Sequence, residues 1–111
     1  MIARLQMDIK TLEDLISSKL GVMLYFLGER CNVCHALRPK VKELFDSRFP
    51  LVEQLFLDAH ENIDISAHFQ VFSVPTLIVF LDGKEFVREG RNMSIGGLEE
   101  KLSRVYDILT C

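Results

Sequence analysis

The chain predicts an α/β architecture: a central mixed sheet, parallel in its first half and finished by an antiparallel C-terminal hairpin, with helices on both faces. Three observations predict it. Val22-Met-Leu-Tyr-Phe-Leu27 is apolar throughout, as a strand is when both faces are covered, and Thr76-Leu-Ile-Val-Phe-Leu81 is a second strongly β-prone run. The segments between and around such runs carry apolar residues at helical spacing, so helix and strand alternate through the first half. Asp82-Gly83 then offers the left-handed backbone preference of a tight hairpin turn.

Each element has a local cause. Thr11-Leu-Glu-Asp14 resembles a capping arrangement with Asp in place of Glu, and opens an amphipathic helix (Leu12, Leu15, Ile16, Leu20) that stops at Gly21. Val22 to Leu27 follows as the central parallel strand, and Gly28 to Arg30 is a short polar link. From Cys31 to Phe49, Val33, Leu37, Val41, Leu44 and Phe45 recur at helical spacing, with a kink expected at Pro39 because its ring removes one N–H. Leu55-Phe-Leu-Asp58 reads as a second buried strand, after which Asn62 caps a short helix through Phe69. Thr76 to Leu81 pairs across the turn with Glu85 to Glu89. Ser94 caps a last helix whose apolar stripe is Ile95, Leu98, Leu102, Val105 and Leu109. No linker or repeat interrupts the chain, so residues 1–111 are expected to form a single domain.

Composition narrows the function. The formal charge of −3 comes from 16 acidic and 13 basic residues scattered without a basic block, which argues against nucleic acid as a partner. The first ten residues lack the unbroken apolar core of a secretory signal, and no stretch nears the roughly 20 apolar residues of a membrane span. A cytoplasmic monomer with no membrane partner is the expectation.

Three cysteines are too few for a structural disulfide framework. Cys31 and Cys34 stand where a strand gives way to a helix N-terminus, whose unpaired N–H groups and dipole stabilise a thiolate more than a thiol. Cys31 is therefore the expected nucleophile. Cys34, three positions on, has its sulfur on the same side of the first turn, within reach of a mixed disulfide formed at Cys31.

Cys31-Asn-Val-Cys34, mid-helix Pro39, Val74-Pro75-Thr76 ahead of a strand, Asp82-Gly83-Lys84 in the hairpin and Gly90 before the last helix resemble the thioredoxin family over nearly the whole sequence. The resemblance implies the thioredoxin fold and a thiol–disulfide oxidoreductase without cofactor or metal. Cys31 and Cys34 would be its catalytic residues and redox-active disulfide, exchanging with disulfide-containing protein substrates and recharged by a reductase or dithiol electron donor. It further implies a cis bond before Pro75, leaving the backbone of Val74 to pair with an extended substrate segment.

Departures from the family pattern matter as much. Arg30 precedes Cys31 where the family usually has tryptophan, and the chain has none, so the apolar plate facing substrate is missing while Arg30 becomes a candidate substrate contact. Tyr25 takes the place of a buried Asp that relays a proton to the resolving cysteine, and Gln54 is read as replacing its Lys partner. Glu29, Tyr25 and His35 are possible modulators, Glu29 as an alternative proton route and His35 through its charge when protonated.

Other readings stay open. A thioredoxin-fold adaptor with no catalysis would keep the cysteines and dock one dedicated partner. Cys31-Asn-Val-Cys34-His35 also spells the c-type haem attachment motif, which needs a second axial ligand such as Met23 or Met93. Zinc could use Cys31, Cys34, His35 and one of His60 or His68, without a second paired motif at finger spacing. Cys111, the last residue, reads as an incidental thiol.

Overall fold

The computed structural model describes residues 7–111. Its elements run α1 (Ile9–Ser18), β1 (Gly21–Leu27), α2 (Asn32–Arg48), β2 (Val52–Asp58), α3 (Ile63–His68), β3 (Thr76–Leu81), β4 (Lys84–Glu89) and α4 (Ile95–Thr110). The sheet order is β2-β1-β3-β4. β1 is parallel to β2, from Gly21 opposite Val52 to Leu27 opposite Asp58, and antiparallel to β3 on its other side. β3 and β4 form the antiparallel hairpin, turning through Asp82 (φ 54°) and Gly83 (φ 80°). Every residue of β1 and β3 is buried, as their unbroken apolar runs require.

Strand alternation divides that apolar content between two cores. Met23, Tyr25 and Leu27 of β1, with Leu77, Val79 and Leu81 of β3, meet α2 and α4 on one face. Val22, Leu24 and Phe26, with Ile78 and Phe80, meet Leu12 and Ile16 of α1 and Ile65 of α3 on the other.

The expected boundaries hold with informative exceptions. α1 is capped by Asp8, whose carboxylate accepts from the Thr11 N–H at 2.7 Å, so Thr11 lies inside the helix and is not its cap. Hydrogen bonding from Thr11, through its side chain first and its N–H second, holds the Asp8 carboxyl below its ordinary pKa. β2 begins at Val52, three residues before Leu55, because its ladder with β1 extends over polar Glu53 and Gln54. Asn62 holds the N-cap position of α3 but makes no side-chain cap bond; its amide instead donates to the Asp58 carbonyl at 2.9 Å. The Asp58 carboxylate takes up the His60 and Glu61 N–H groups ahead of that helix. α2 runs on through Pro39 as one 17-residue helix. In α4 the buried positions are Leu98, Leu102 and Tyr106, while Ile95, Val105 and Leu109 lie at the margin of the core. Tyr106 lies outside the expected stripe because its hydroxyl is polar, and that hydroxyl accepts from the Leu51 N–H at 3.1 Å.

Candidate active site

β1 ends at Leu27, the chain turns through Gly28 to Arg30, and α2 begins, so Cys31 becomes the N-cap of α2. The turn closes with the Cys31 N–H on the Gly28 carbonyl at 3.2 Å. The Cys31 side chain does the capping: its Sγ accepts from the Cys34 N–H at 3.1 Å. A sulfur at this position receives a backbone donor and the positive end of a 17-residue helix, and both favour its anion.

Cys31 and Cys34 are joined as a disulfide, with Cα atoms 5.2 Å apart. The two sulfurs differ in access. Cys31 is half-buried and borders a hollow of about 720 Å³ together with Arg30, Val33, His60, Val74 and Arg91. Cys34 is fully buried in the core beneath α2.

The Val74–Pro75 peptide bond is cis. Val74 and Cys31 border the same hollow, and a Cβ placed on Gly28 would lie 3.4 Å from Val74 Cγ2 and 3.8 Å from Cys31 Cβ. Gly28 thus lies between the two loops, at ordinary contact distance from each. The segment ahead of Pro75 is tied down by the Thr76 hydroxyl, which donates to the Ser73 carbonyl at 2.7 Å.

Tyr25 is fully buried under the site, where its hydroxyl donates to the Cys34 carbonyl at 2.7 Å. Burial pushes its phenol above the usual pKa, opposed in part by the Arg38 cation, so at neutral pH Tyr25 is a donor and no base. Gln54 does not stand beside Tyr25, which corrects the expectation that it replaces the Lys partner: it lies opposite Met23 in the β1–β2 register and donates to Asp46 at 2.7 Å. Tyr25 faces Phe56, rings 5.6 Å apart, and Arg38 of α2 covers the outer face of Phe56 at 4.7 Å. Sequence reasoning missed the Arg38–Phe56–Tyr25 stack. Its trace was the four-residue spacing from Cys34 to Arg38, which sets both on one face of α2.

Glu29 and Arg30 are exposed at the rim of the hollow. His35 Nε2 lies 2.9 Å from the Glu29 carbonyl oxygen, so its Nε2–H donates there and links the first turn of α2 to the loop before Cys31. The haem reading is not supported by this geometry: each sulfur is bonded to the other, His35 is turned to a carbonyl, and Met23 and Met93 are buried in the sheet core. Of the histidines weighed for zinc, His60 borders the hollow but His68 packs on Phe69 and pairs with Glu13 at 3.4 Å. Among the described residues no three His, Cys, Asp or Glu side chains converge as a metal site.

Fold and dithiol together define a class, the thiol–disulfide oxidoreductases. Comparison with known proteins gives the family: the Thioredoxin family model matches residues 5–104, and the chain belongs to the thioredoxin family. It is 35% identical over 96 residues to the thioredoxin-like protein YdfQ of Bacillus subtilis, covering 86% of this chain and 85% of that one. Among solved structures it is similar to a mutant thioredoxin from Halobacterium salinarum, with TM-score 0.76, 25% identity, and 89% and 85% of the two chains covered. Thioredoxin 1 of Thermosipho africanus matches with TM-score 0.72 and 30% identity, over 81% of this chain and 99% of that one. No helix among the described residues is long and apolar enough to cross a membrane.

Proposed function

We propose that the protein, as one domain over residues 1–111, reduces disulfides in cytoplasmic protein substrates and is itself recharged by a reductase or another dithiol. One observation carries the reading: the accessible Cys31 sulfur caps α2 and receives the Cys34 N–H, while Cys34 lies sealed behind it. The Cys31 thiolate attacks one substrate sulfur; the S–S bond breaks and its other sulfur leaves as a thiolate that takes a proton from water. Cys34 then gives up its proton and attacks Cys31 Sγ, releasing the second substrate thiol and leaving the Cys31–Cys34 disulfide. Two electrons pass to the substrate.

Val74 and Pro75 act in substrate binding. Val74 borders the Cys31 hollow, and its backbone N–H and C=O make no hydrogen bond to another described residue, which leaves both for an extended peptide. Arg30 contacts substrate from the opposite rim. His35 positions the loop before Cys31 through the Glu29 carbonyl, and Tyr25 fixes the first turn of α2 through the Cys34 carbonyl.

The test is turnover of insulin disulfides with dithiothreitol as electron source. Wild-type protein accelerates it, Cys31→Ser abolishes it, and Cys34→Ser accumulates a mixed disulfide. Wild-type protein no faster than Cys31→Ser, while still retaining one cellular partner, overturns the reading in favour of an adaptor.

A further inference from the structure

We propose that Phe72 and Ile63 form an apolar subsite beside the dithiol, which selects disulfides in extended polypeptides carrying a large apolar side chain within a few residues of the cysteine. This rests on the oxidoreductase reading and adds the source of its selectivity. Phe72 is 87% exposed and Ile63 67%, the two highest values among the exposed large apolar residues described. Single exposed apolar residues are ordinary, but these two flank one hollow of about 330 Å³, whose walls include Ala59, Ala67 and Val71.

The occupant follows from continuity. His60 and Val74 border both this hollow and the one that exposes Cys31, so a segment paired on the Val74 backbone with its sulfur at Cys31 passes the second hollow. Side chains two apart in an extended segment are roughly 7 Å from one another on one face, which sets the reach from cysteine to subsite at a few residues. The lining separates the two in character. Arg30, Arg91, Glu29, Asp58 and Glu61 surround the first, whereas His60 is the sole titratable residue bordering the second among the described residues.

The subsite is held in place on both sides. Ahead of Phe72, the Val71 N–H donates to the Ser66 carbonyl at 2.8 Å, and the Arg88 guanidinium donates to the Phe69 carbonyl at 2.8 Å. Behind it stands the Thr76–Ser73 bond. Arg30 borders only the first hollow, and Phe72 and Ile63 only the second, so the exposed apolar side chains lie on the Val74 side of the sulfur.

The test uses single turnovers of the reduced protein with paired peptide disulfides that differ by Leu or Ser at each of the two positions on either side of the cysteine. Wild-type protein is expected to favour Leu by about tenfold at one position or more, with that ratio falling to within about twofold in Phe72→Ser and partly restored in Phe72→Leu. A preference that is absent in wild type, or that survives in both Phe72→Ser and Ile63→Ser, overturns the subsite. Hydroxyethyl disulfide tests the underlying chemistry separately: turnover of this reagent without any Leu preference sinks the subsite and leaves the oxidoreductase reading standing. If wild type reduces no disulfide at all, NMR titration with the Leu and Ser peptides, serine replacing their cysteine, decides. Shifts at Ala67, Val71 and Phe72 with the Leu peptide alone support the subsite. Equal shifts, no shifts, or shifts that grow with protein concentration and report a second copy in the hollow overturn it.

Discussion

The hydroxyl of Tyr25 in the middle of β1 donates to the carbonyl oxygen of Cys34 in the first turn of α2, 2.7 Å away and fully buried. One phenol thereby joins the central strand to the helix that presents the dithiol. Tyr25→Phe keeps the ring against Phe56 and removes only this bond, so urea denaturation should show a loss of about 0.5–1.5 kcal/mol.

Tyr25→Asp should behave differently. Burial, the force that raises the Tyr25 phenol, would also raise a carboxyl there, with the Arg38 cation offsetting part of it. A folded-state pKa above the unfolded value means that the variant's stability is highest below the unfolded pKa and falls as pH rises through the folded one. The deficit against wild type should therefore be larger at pH 8 than at pH 5 in paired urea titrations. An equal deficit at both would show that the site accepts a charged carboxylate freely.

Gly21 begins β1 between two neighbouring strands. A Cβ there would meet Val52 Cγ2 at 2.9 Å and Leu81 Cδ2 at 3.0 Å, and the branched Val52 has little freedom to retreat. Gly21→Ala should cost about 1–3 kcal/mol by overpacking. In a Val52→Ala background the cost should shrink, a coupling that a double-mutant cycle reads directly.

Arg88 on β4 grips Glu85 through two bonds, at 2.9 and 3.0 Å, and the Phe69 carbonyl through a third. Hydrogen bonding from Arg88 holds the Glu85 carboxyl below its ordinary pKa, against a smaller opposing effect of burial. A depressed folded-state value means that the pair's contribution is present above the unfolded pKa and disappears as pH falls through the folded one. The stability difference between wild type and Glu85→Gln should accordingly fade on acidification from neutral pH. Because the Glu85 side chain is 42% exposed, solvent screening keeps that difference within about 1 kcal/mol. Arg88→Met should cost more, since it also frees the Phe69 carbonyl and loosens the segment leading to Phe72.

Much of this was legible in the chain because local signals and tertiary demands agreed. Val22–Leu27 and Thr76–Leu81 are apolar and both became central strands; Asp82-Gly83 is a turn pair and turned; Ser94 is a capping residue and capped. Cys31, Cys34 and Pro75 were readable through spacing and family likeness. What escaped depended on contacts between distant segments. Glu53 and Gln54 look polar, yet they belong to β2 because β1 supplies their ladder. The placing of Gln54 beside Tyr25 failed on register, since Phe56 holds that position, and the register depends on where β2 begins. Asn62 has a capping side chain, but the nearby Asp58 carbonyl competes for it. The hollow beside Phe72 joins residues from α3 and the loop after it, which no periodicity brings together.

The last helix carries a correctable weakness. Ser94 accepts from the Gly97 N–H at 3.1 Å and caps α4, yet two glycines, Gly96 and Gly97, fill its first turn. Glycine loses more backbone freedom on folding than alanine does, so the turn that begins α4 forms against its own propensity and leans on the cap. A Cβ at Gly97 would touch Ser94 at 3.5 Å, an ordinary contact, and neither glycine has a positive φ that alanine would resist. Gly97→Ala should therefore stabilise by about 0.5–1 kcal/mol, seen as a higher urea midpoint with unchanged slope. Ser94→Ala should lose about 1 kcal/mol, and the loss should be smaller when position 97 is already alanine, because the first turn then needs less help to form. Equal losses in both backgrounds would mean that the cap acts on the packing of Leu98 and Leu102 and not on the first turn.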